Sequence, residues 1–503
     1  VGFGFAGIAI MVIVAVHFYL WHRLVRSTTR RGRARRALTW ALVGLAMLVP
    51  VAFGGTRAGW EHWLAWPGYL WVATMFYLLV FLVVLEIPRA VAWLFIRRSV
   101  RAKASTTLAA VSVVPDTSVS SGPPASPAPT GSAAASGSAV VSGSAVATGS
   151  AAPGSSVASG SAVVTGSVAP RSSVATGAAA NGAVGQTVSA GEPAETASGD
   201  RALPGASSVD APPDEDAPTG GWPVDTAMSR RLFLGRATAA IAGVSALGTV
   251  GYGMRTAFGA PVIEPVRVML PNLDPRLSGL RFAVVSDIHL GPLTGRGHAE
   301  RIVRMINSLR ADVVAIVGDL VDGTVAELGR LAKPLGDLEA SYGSYFVTGN
   351  HEYYTANGPV EWIEELQALG VRSLRNERVE IRHQGGVLDL AGVNDVSGET
   401  MDDGPDFDKA LGGRDGTRST VLLAHQPIHV VEAARHKVDL QLSGHTHGGQ
   451  MVPFNLVVPL QQPAVSGLST VEGVQIYVTR GAGFWGPPVR VGAPPEITMV
   501  ELR

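Results

Sequence analysis

The sequence predicts two unlike halves: apolar membrane-crossing helices toward its start and an α/β domain toward its end. Apolar runs at residues 2–20, 38–53 and 64–85 follow one another, with charge confined between them. From about residue 260, short β-branched runs alternate with segments of helical period. Between the halves lies a long stretch almost without charge or bulky side chains.

The averages of the 503-residue chain bound its function. Lys+Arg and Asp+Glu are 40 each, so the formal net charge is zero, and no nucleic-acid partner is predicted. There is no cysteine. Disulfides, thiolate nucleophiles and Cys-ligated metals are therefore excluded, and any metal is held by His, Asp, Glu or Asn.

Residues 1–103 read as a three-span membrane region, the third span reaching Ile96 if Glu86 and Arg89 sit at the interface. Trp60, Trp63, Trp66, Tyr69 and Trp71 fit an aromatic belt at the start of that span. Arg23, Arg26, Arg30, Arg31, Arg33, Arg35 and Arg36 follow the first span, and Arg97, Arg98, Arg101 and Lys103 follow the third. The positive-inside rule puts both clusters in the cytoplasm.

Residues 104–228 read as a low-complexity, disordered linker. Asp116 is the only charge between Ala104 and Pro170, and Gly131, Gly137, Gly143 and Gly149 fall every six residues. A β-helix of that period needs a regular large aliphatic position, which is missing. Residues 229–259 are a twin-arginine-like signal or a fourth span. Arg230-Arg231-Leu232-Phe233-Leu234 precedes a weakly apolar run, and Ala257-Phe258-Gly259-Ala260 offers small residues for cleavage. Both readings carry the rest of the chain outward.

Residues 260–503 read as one globular domain, long enough to bury a full core. Strands are expected at 281–286, 313–317, 344–348, 387–393, 420–424, 439–443, 475–479 and 496–502, and helices at 298–309, 360–369 and 429–435. Five of these strands end in polar clusters: Asp287-Ile288-His289, Gly318-Asp319, Gly349-Asn350-His351-Glu352, His425-Gln426, and Gly444-His445-Thr446-His447. Open α/β sheets place their sites at such ends. One such histidine alone is an ordinary structural residue, whereas five clusters in order point to a metal centre.

This order and spacing resembles the calcineurin-like metallophosphoesterase superfamily, across the whole of 260–503. The resemblance implies a four-layer α/β/β/α sandwich with a two-metal site at the sheet edges. It implies that Asp287, His289 and His447 hold one divalent ion, that Asn350, His425 and His445 hold the other, and that Asp319 bridges both. A shared carboxylate is what two cations roughly 3.5–4 Å apart require. Imidazole and carboxylate ligands without thiolate suit Mn, Zn or Fe. Between such ions a water is activated near neutral pH and attacks phosphorus in line. The resemblance makes His351 the group at the leaving oxygen, with Asp322 as its carboxylate partner; the alternative for Asp322 is a turn residue before Gly323.

Where protein Ser/Thr phosphatases carry an arginine after that carboxylate, this chain has Gly323. The run Gly444-His445-Thr446-His447-Gly448-Gly449-Gln450, together with the tail around Phe484-Trp485-Gly486, resembles the membrane-anchored bacterial phosphodiesterase branch. The function so implied is hydrolysis of a phosphodiester or pyrophosphate in envelope lipids or cell-wall precursors, at the extracytoplasmic face of the bacterial cytoplasmic membrane. Two alternatives stand beside it: a UDP-2,3-diacylglucosamine pyrophosphate hydrolase of lipid A synthesis, and a non-catalytic metal-binding envelope protein. Arg480, Arg490 and Trp485 are candidate substrate contacts, each with packing or a structural ion pair as its alternative. Tyr353 and Tyr354 either wall the pocket or fill the core. His298, His383, His429 and His436 belong to no motif and are expected at the surface or in caps.

Overall fold

The computed structural model describes residues 2–57, 65–111, 224–355 and 357–503. Most of the expected linker, with its hexad glycines, lies outside these residues, as do Trp60 and Trp63.

Four helices make up the apolar part: α1 (Gly2–Leu20), α2 (Arg33–Arg57), α3 (Ala65–Val111) and α4 (Val224–Ala257). Four helical stretches are long and apolar enough to cross a membrane: Gly7–Arg26, which continues from α1 through a π-helical turn, Arg33–Gly55 of α2, Ala65–Val91 of α3 and Leu232–Ala257 of α4. The 229–259 segment is thus the core of one continuous helix with the dimensions of a span. Its weak hydropathy has a packing reason. Ala242, Ala246 and Val250 are buried against Ala73, Tyr77 and Leu82, and small residues allow that approach. At one end of the bundle, Arg236 Nε donates to the Thr28 carbonyl at 3.1 Å, beside the arginine-rich turn after α1.

The C-terminal domain runs β1 (Val262–Val268), β2 (Arg281–Val285), α5 (Arg296–Ser308), β3 (Val313–Val317), α6 (Val325–Ala332), β4 (Ser344–Val347), α7 (Val360–Ala368), β5 (Val371–Ser373), β6 (Glu377–His383), β7 (Gly386–Gly392), α8 (Phe407–Leu411), β8 (Thr420–Leu423), α9 (Val430–Arg435), β9 (Leu440–Ser443), β10 (Gly467–Val471), β11 (Val474–Val478) and β12 (Glu496–Leu502). The strands form two six-stranded sheets, ordered β1-β12-β2-β3-β4-β5 and β10-β11-β9-β8-β7-β6. All eight expected strands are present, shifted by at most one residue at an end. The four that were not expected, β1, β5, β6 and β10, are the four sheet edges.

Period-two alternation shows how the layers stack. Phe282 and Val284 of β2 share one cluster with Val313, Val421, Leu440 and Leu442, so both sheets meet there. Ala283 and Val285 face the other way, onto Ile302 and Ile306 of α5 and Trp362 of α7. Leu422 of β8 and Ile476 of β11 face Ala410 of α8 and Val430 of α9. Helices outside, two sheets inside: this is the expected α/β/β/α arrangement. Parallel β2, β3 and β4, and parallel β7, β8 and β9, then bring their C-terminal ends to one rim. Every one of the five polar clusters leaves a strand at that rim.

Trp362 links this core to the rim. It is fully buried, and its Nε1 donates to the Gly323 carbonyl at 2.7 Å, directly after Asp322. Trp362→Ala is expected to cost about 3–5 kcal/mol through the cavity it leaves. A large drop in the melting temperature of the detergent-solubilised full chain checks this.

Candidate metal centre

Most of the candidate ligand side chains are held by hydrogen bonds on the side away from the site. Asp287 Oδ2 accepts the His445 backbone N–H at 2.9 Å. Its Oδ1 has no hydrogen-bond partner and lies 3.3 Å from His447 Nε2 and 3.9 Å from His289 Nε2. Asp319 Oδ1 accepts the His351 backbone N–H at 2.9 Å. Its Oδ2 stands 3.2 Å from His425 Nε2 and 3.9 Å from His289 Nε2, between the two groups.

The histidine tautomers follow from their outer partners. His425 Nδ1 donates to the Val317 carbonyl at 2.8 Å, which turns Nε2 inward to Asp319 Oδ2; against the effect of burial, that carboxylate raises the His425 pKa. His289 Nδ1 donates to Asp322 Oδ1 at 2.7 Å, which turns Nε2 inward, 3.1 Å from His447 Nε2. Asn350 Nδ2 donates to the Tyr354 hydroxyl at 2.9 Å, so its Oδ1 is the free atom, buried and unpaired. Burial first, and then the neighbouring Arg490, pushes the His447 imidazole well below its ordinary pKa. Burial and His425 bring His445 down to about 4. Neutral imidazoles are what metal ligation needs.

The ligand atoms of Asp287, His289 and His447 lie within 4.8 Å of one another, as do those of Asp319, His425 and His445. Two buried oxygens, Asp287 Oδ1 and Asn350 Oδ1, have no hydrogen-bond partner and would be costly without a cation. The donor set therefore fits divalent ions, with Asp319 shared.

This close arrangement strains the backbone. Asp287, His289, Asp319, His445 and His447 all adopt positive φ, between 47° and 71°. It also demands glycines. A Cβ on Gly349 would lie 2.2 Å from Asp319 Oδ1, and one on Gly444 would lie 2.4 Å from Asp287 Oδ2.

Beside the clusters, His351 Nδ1 bonds Asp322 Oδ1 at 2.8 Å. One carboxylate oxygen thus serves both His351 and the ligand His289. Burial opposes protonation of His351, but Asp319 and Asp322 together outweigh it and hold its pKa up at about 9. The Trp485 ring centroid is 6.4 Å from that of His351, and Trp485 is 46% exposed.

Two expected substrate contacts are placed differently. Arg490 is fully buried, so it faces no substrate. Its guanidinium donates to the carbonyls of Gly483, His447 and Ala493, and to His447 Nδ1 at 2.9 Å. Arg480 is held by ion pairs to Glu496 at 2.6 Å and Glu264 at 3.3 Å. Tyr353 is buried with its hydroxyl on Asp403 at 2.9 Å, whereas Tyr354 flanks His351. His298 is buried within α5 rather than at the surface, and His429 is buried at the N-cap of α9, as a capping residue.

Two residues quoted only as parts of motifs have definite roles. The fully buried Glu352 carboxylate accepts the backbone N–H groups of Asp319, Leu320 and Gly349, at 3.1, 2.8 and 2.6 Å. It sets the spacing of the β3 and β4 ends, and burial lifts its pKa to about 7. Gln450 clasps the Trp485 main chain, accepting from its N–H and donating to its carbonyl. An acid among metal ligands and an amide after Gly-Gly were the only signals in the sequence.

The calcineurin-like phosphoesterase family profile matches residues 280–449. A "Transmembrane protein with metallophosphoesterase domain" from Danio rerio is 40% identical over 262 residues, covering 50% of this chain and 60% of that protein. Its counterpart from Bos taurus is 39% identical over 287 residues, covering 55% of this chain and 64% of its own. An "Uncharacterized metallophosphoesterase" from Helicobacter pylori is 39% identical over 262 residues, covering 51% of this chain and 68% of its own. The chain belongs to the calcineurin-like metallophosphoesterase family. It spans less than two thirds of the two animal relatives. Both of these are transmembrane by name, as befits a metallophosphoesterase domain that follows four membrane-length helices.

With the cations loaded, metal analysis of the purified chain is expected to give two divalent ions per molecule. His445→Ala should lose the ion of one cluster and Asp319→Asn should weaken both.

Proposed function

We propose that this metallophosphoesterase hydrolyses phosphodiester or pyrophosphate bonds in envelope lipids or cell-wall precursors, using a pair of divalent ions and working outside the cytoplasm. The observation that carries the reading is the position of Asp319 Oδ2 between the two ligand clusters, with the His351–Asp322 pair alongside. When bound, the cations supply Lewis-acid charge for the phosphoryl oxygens and an activated water.

The chain's own residues do the rest. Asp287, His289 and His447 form one cradle, and Asn350, His425 and His445 the other, with Asp319 spanning both. His351 holds a proton on the ring that faces the site. Asp322 fixes that ring through Nδ1, so Nε2–H is the proton offered to the leaving oxygen. Trp485 offers an apolar wall beside it.

The membrane part supports the orientation. Arg23 and Arg26 follow α1, Arg33 and Arg35 open α2, and Arg230 lies in the first turns of α4. The opposite ends of these helices meet the catalytic domain: Phe53 of α2 packs on Trp485 at 6.1 Å, and Phe258, just after α4, packs on Phe484 at 5.3 Å. Most of the basic residues thus lie at the end of the bundle away from the catalytic domain, with Arg57 and Arg255 at the near end, and by the positive-inside rule this excess supports a domain outside the cytoplasm. The same contacts favour a retained helix over a cleaved one, since Phe258 and Gly259 carbonyls are bonded by Arg301.

Four experiments test this reading. The full chain in detergent with Mn²⁺ should hydrolyse bis(p-nitrophenyl) phosphate; a folded, metal-loaded protein inert with every divalent ion would overturn it. His351→Ala should lose about 10²–10⁴-fold in kcat with both ions still bound. Asp322→Asn removes the charge that raises the His351 pKa, so the alkaline limb of the kcat profile should move to lower pH. A reporter fused at the C-terminus should read as extracytoplasmic; a cytoplasmic signal would revive the nucleotide-sugar pyrophosphatase of lipid A synthesis.

A further inference from the structure

The segment that follows the last metal-ligand motif has no use in the chemistry above, and it is unusually apolar for a surface loop. No charged residue occurs between His447 and Glu472. Within that stretch, residues 452–460 read Val-Pro-Phe-Asn-Leu-Val-Val-Pro-Leu and fold as two successive 3-10 turns, Phe454–Leu456 and Val458–Leu460. Neither turn buries a residue. Leu456 is 74% exposed and Leu460 86%, with Val452, Phe454 and Val457 also exposed. Single exposed apolar residues are ordinary, but a contiguous set marks a contact surface.

The stem of this segment shows which surface. Met451 packs against the buried cluster formed by the membrane helices, and so does Val491. Val452 donates its N–H to the Val491 carbonyl at 3.0 Å. One residue back, Arg490 donates its N–H to the carbonyl of Gly253, near the end of α4, at 2.9 Å. A Cβ on Gly253 would meet Val489 Cγ1 at 2.5 Å and Val491 Cγ2 at 2.8 Å, so helix and strand segment are in close backbone contact. The exposed turns therefore grow out of the same seam that joins the domain to the ends of its spans.

We propose that residues 452–460 dip into the bilayer surface on the domain's side, as a second and monotopic membrane contact next to the metal centre. The occupant is lipid: the spans hold this face of the domain at the membrane, the turns carry no charge, and their proline and valine side chains suit the acyl–headgroup boundary. Gln450, at the base of the segment, also clasps the main chain of Trp485, so the inserted turns and the Trp485 wall move as one unit. Such a membrane contact does not depend on the phosphoesterase reaction.

The absence of cysteine makes the test direct. Single Leu456→Cys and Leu460→Cys variants of the full chain are labelled with an NBD fluorophore and reconstituted into phosphatidylethanolamine–phosphatidylglycerol vesicles. Gly416→Cys is the reference, because it lies at the opposite edge, before β8, and a Cβ there meets nothing within 4 Å. The expected result is blue-shifted emission at 456 and 460, quenching by doxyl-labelled lipid, and protection from aqueous iodide, with the reverse at 416. Iodide quenching at 456 and 460 equal to that at 416 would overturn the proposal. Protection from both quenchers would also overturn it, by showing that a protein surface or a second copy covers the turns. Since none of these readings uses turnover, they stand or fall separately from the catalytic assays.

Discussion

A single carboxylate oxygen, Asp319 Oδ2, has both ligand clusters within reach, and much of the domain exists to keep it there. Two like-charged ions can share a site only with negative charge between them. The cost of burying that carboxylate is offset by the His351 main-chain N–H on one oxygen and by imidazoles around the other. Glu352 holds the turn that carries Asp319 against the turn that carries Asn350. Two sheets, each with a run of four parallel strands, then deliver the remaining ligands to one rim. Glycines at 349 and 444 provide the clearance for that convergence.

What could be read from the sequence follows burial. Central strands such as β3, Val-Val-Ala-Ile-Val, are covered on both faces and appear as unbroken apolar runs. The edge strands escape because one flank faces water and tolerates charge or proline. β1 carries Glu264, Pro265 and Arg267, and β6 alternates Glu377, Arg378, Glu380 and Arg382 with apolar residues. The seven candidate ligand positions are legible because each follows a recognisable strand. Arg490 is not, since its partner His447 is 43 residues away and only the folded rim brings them together. A surface arginine and a buried arginine look alike in one dimension. The same holds for Asp322, whose second partner, His289, lies 33 residues upstream.

The boundary between membrane and soluble parts is tighter than a tether. Arg490 bonds the end of α4 through its main chain and a metal ligand through its guanidinium. Phe53 and Trp66 from α2 and α3 reach Trp485 and Phe258. The catalytic domain is thus seated on its spans, and the aromatic wall of the site is built partly from the wall of the bundle.

The left-handed backbone at five ligands has a further meaning for how this site can change. Asparagine tolerates that conformation nearly as well as aspartate, while branched aliphatic residues do not. Drift at these positions is therefore confined to a narrow alphabet by the main chain, before chemistry selects at all. A lineage that lost its cations would keep the cramped turns and the glycines beneath them, with unpaired polar atoms at their centre.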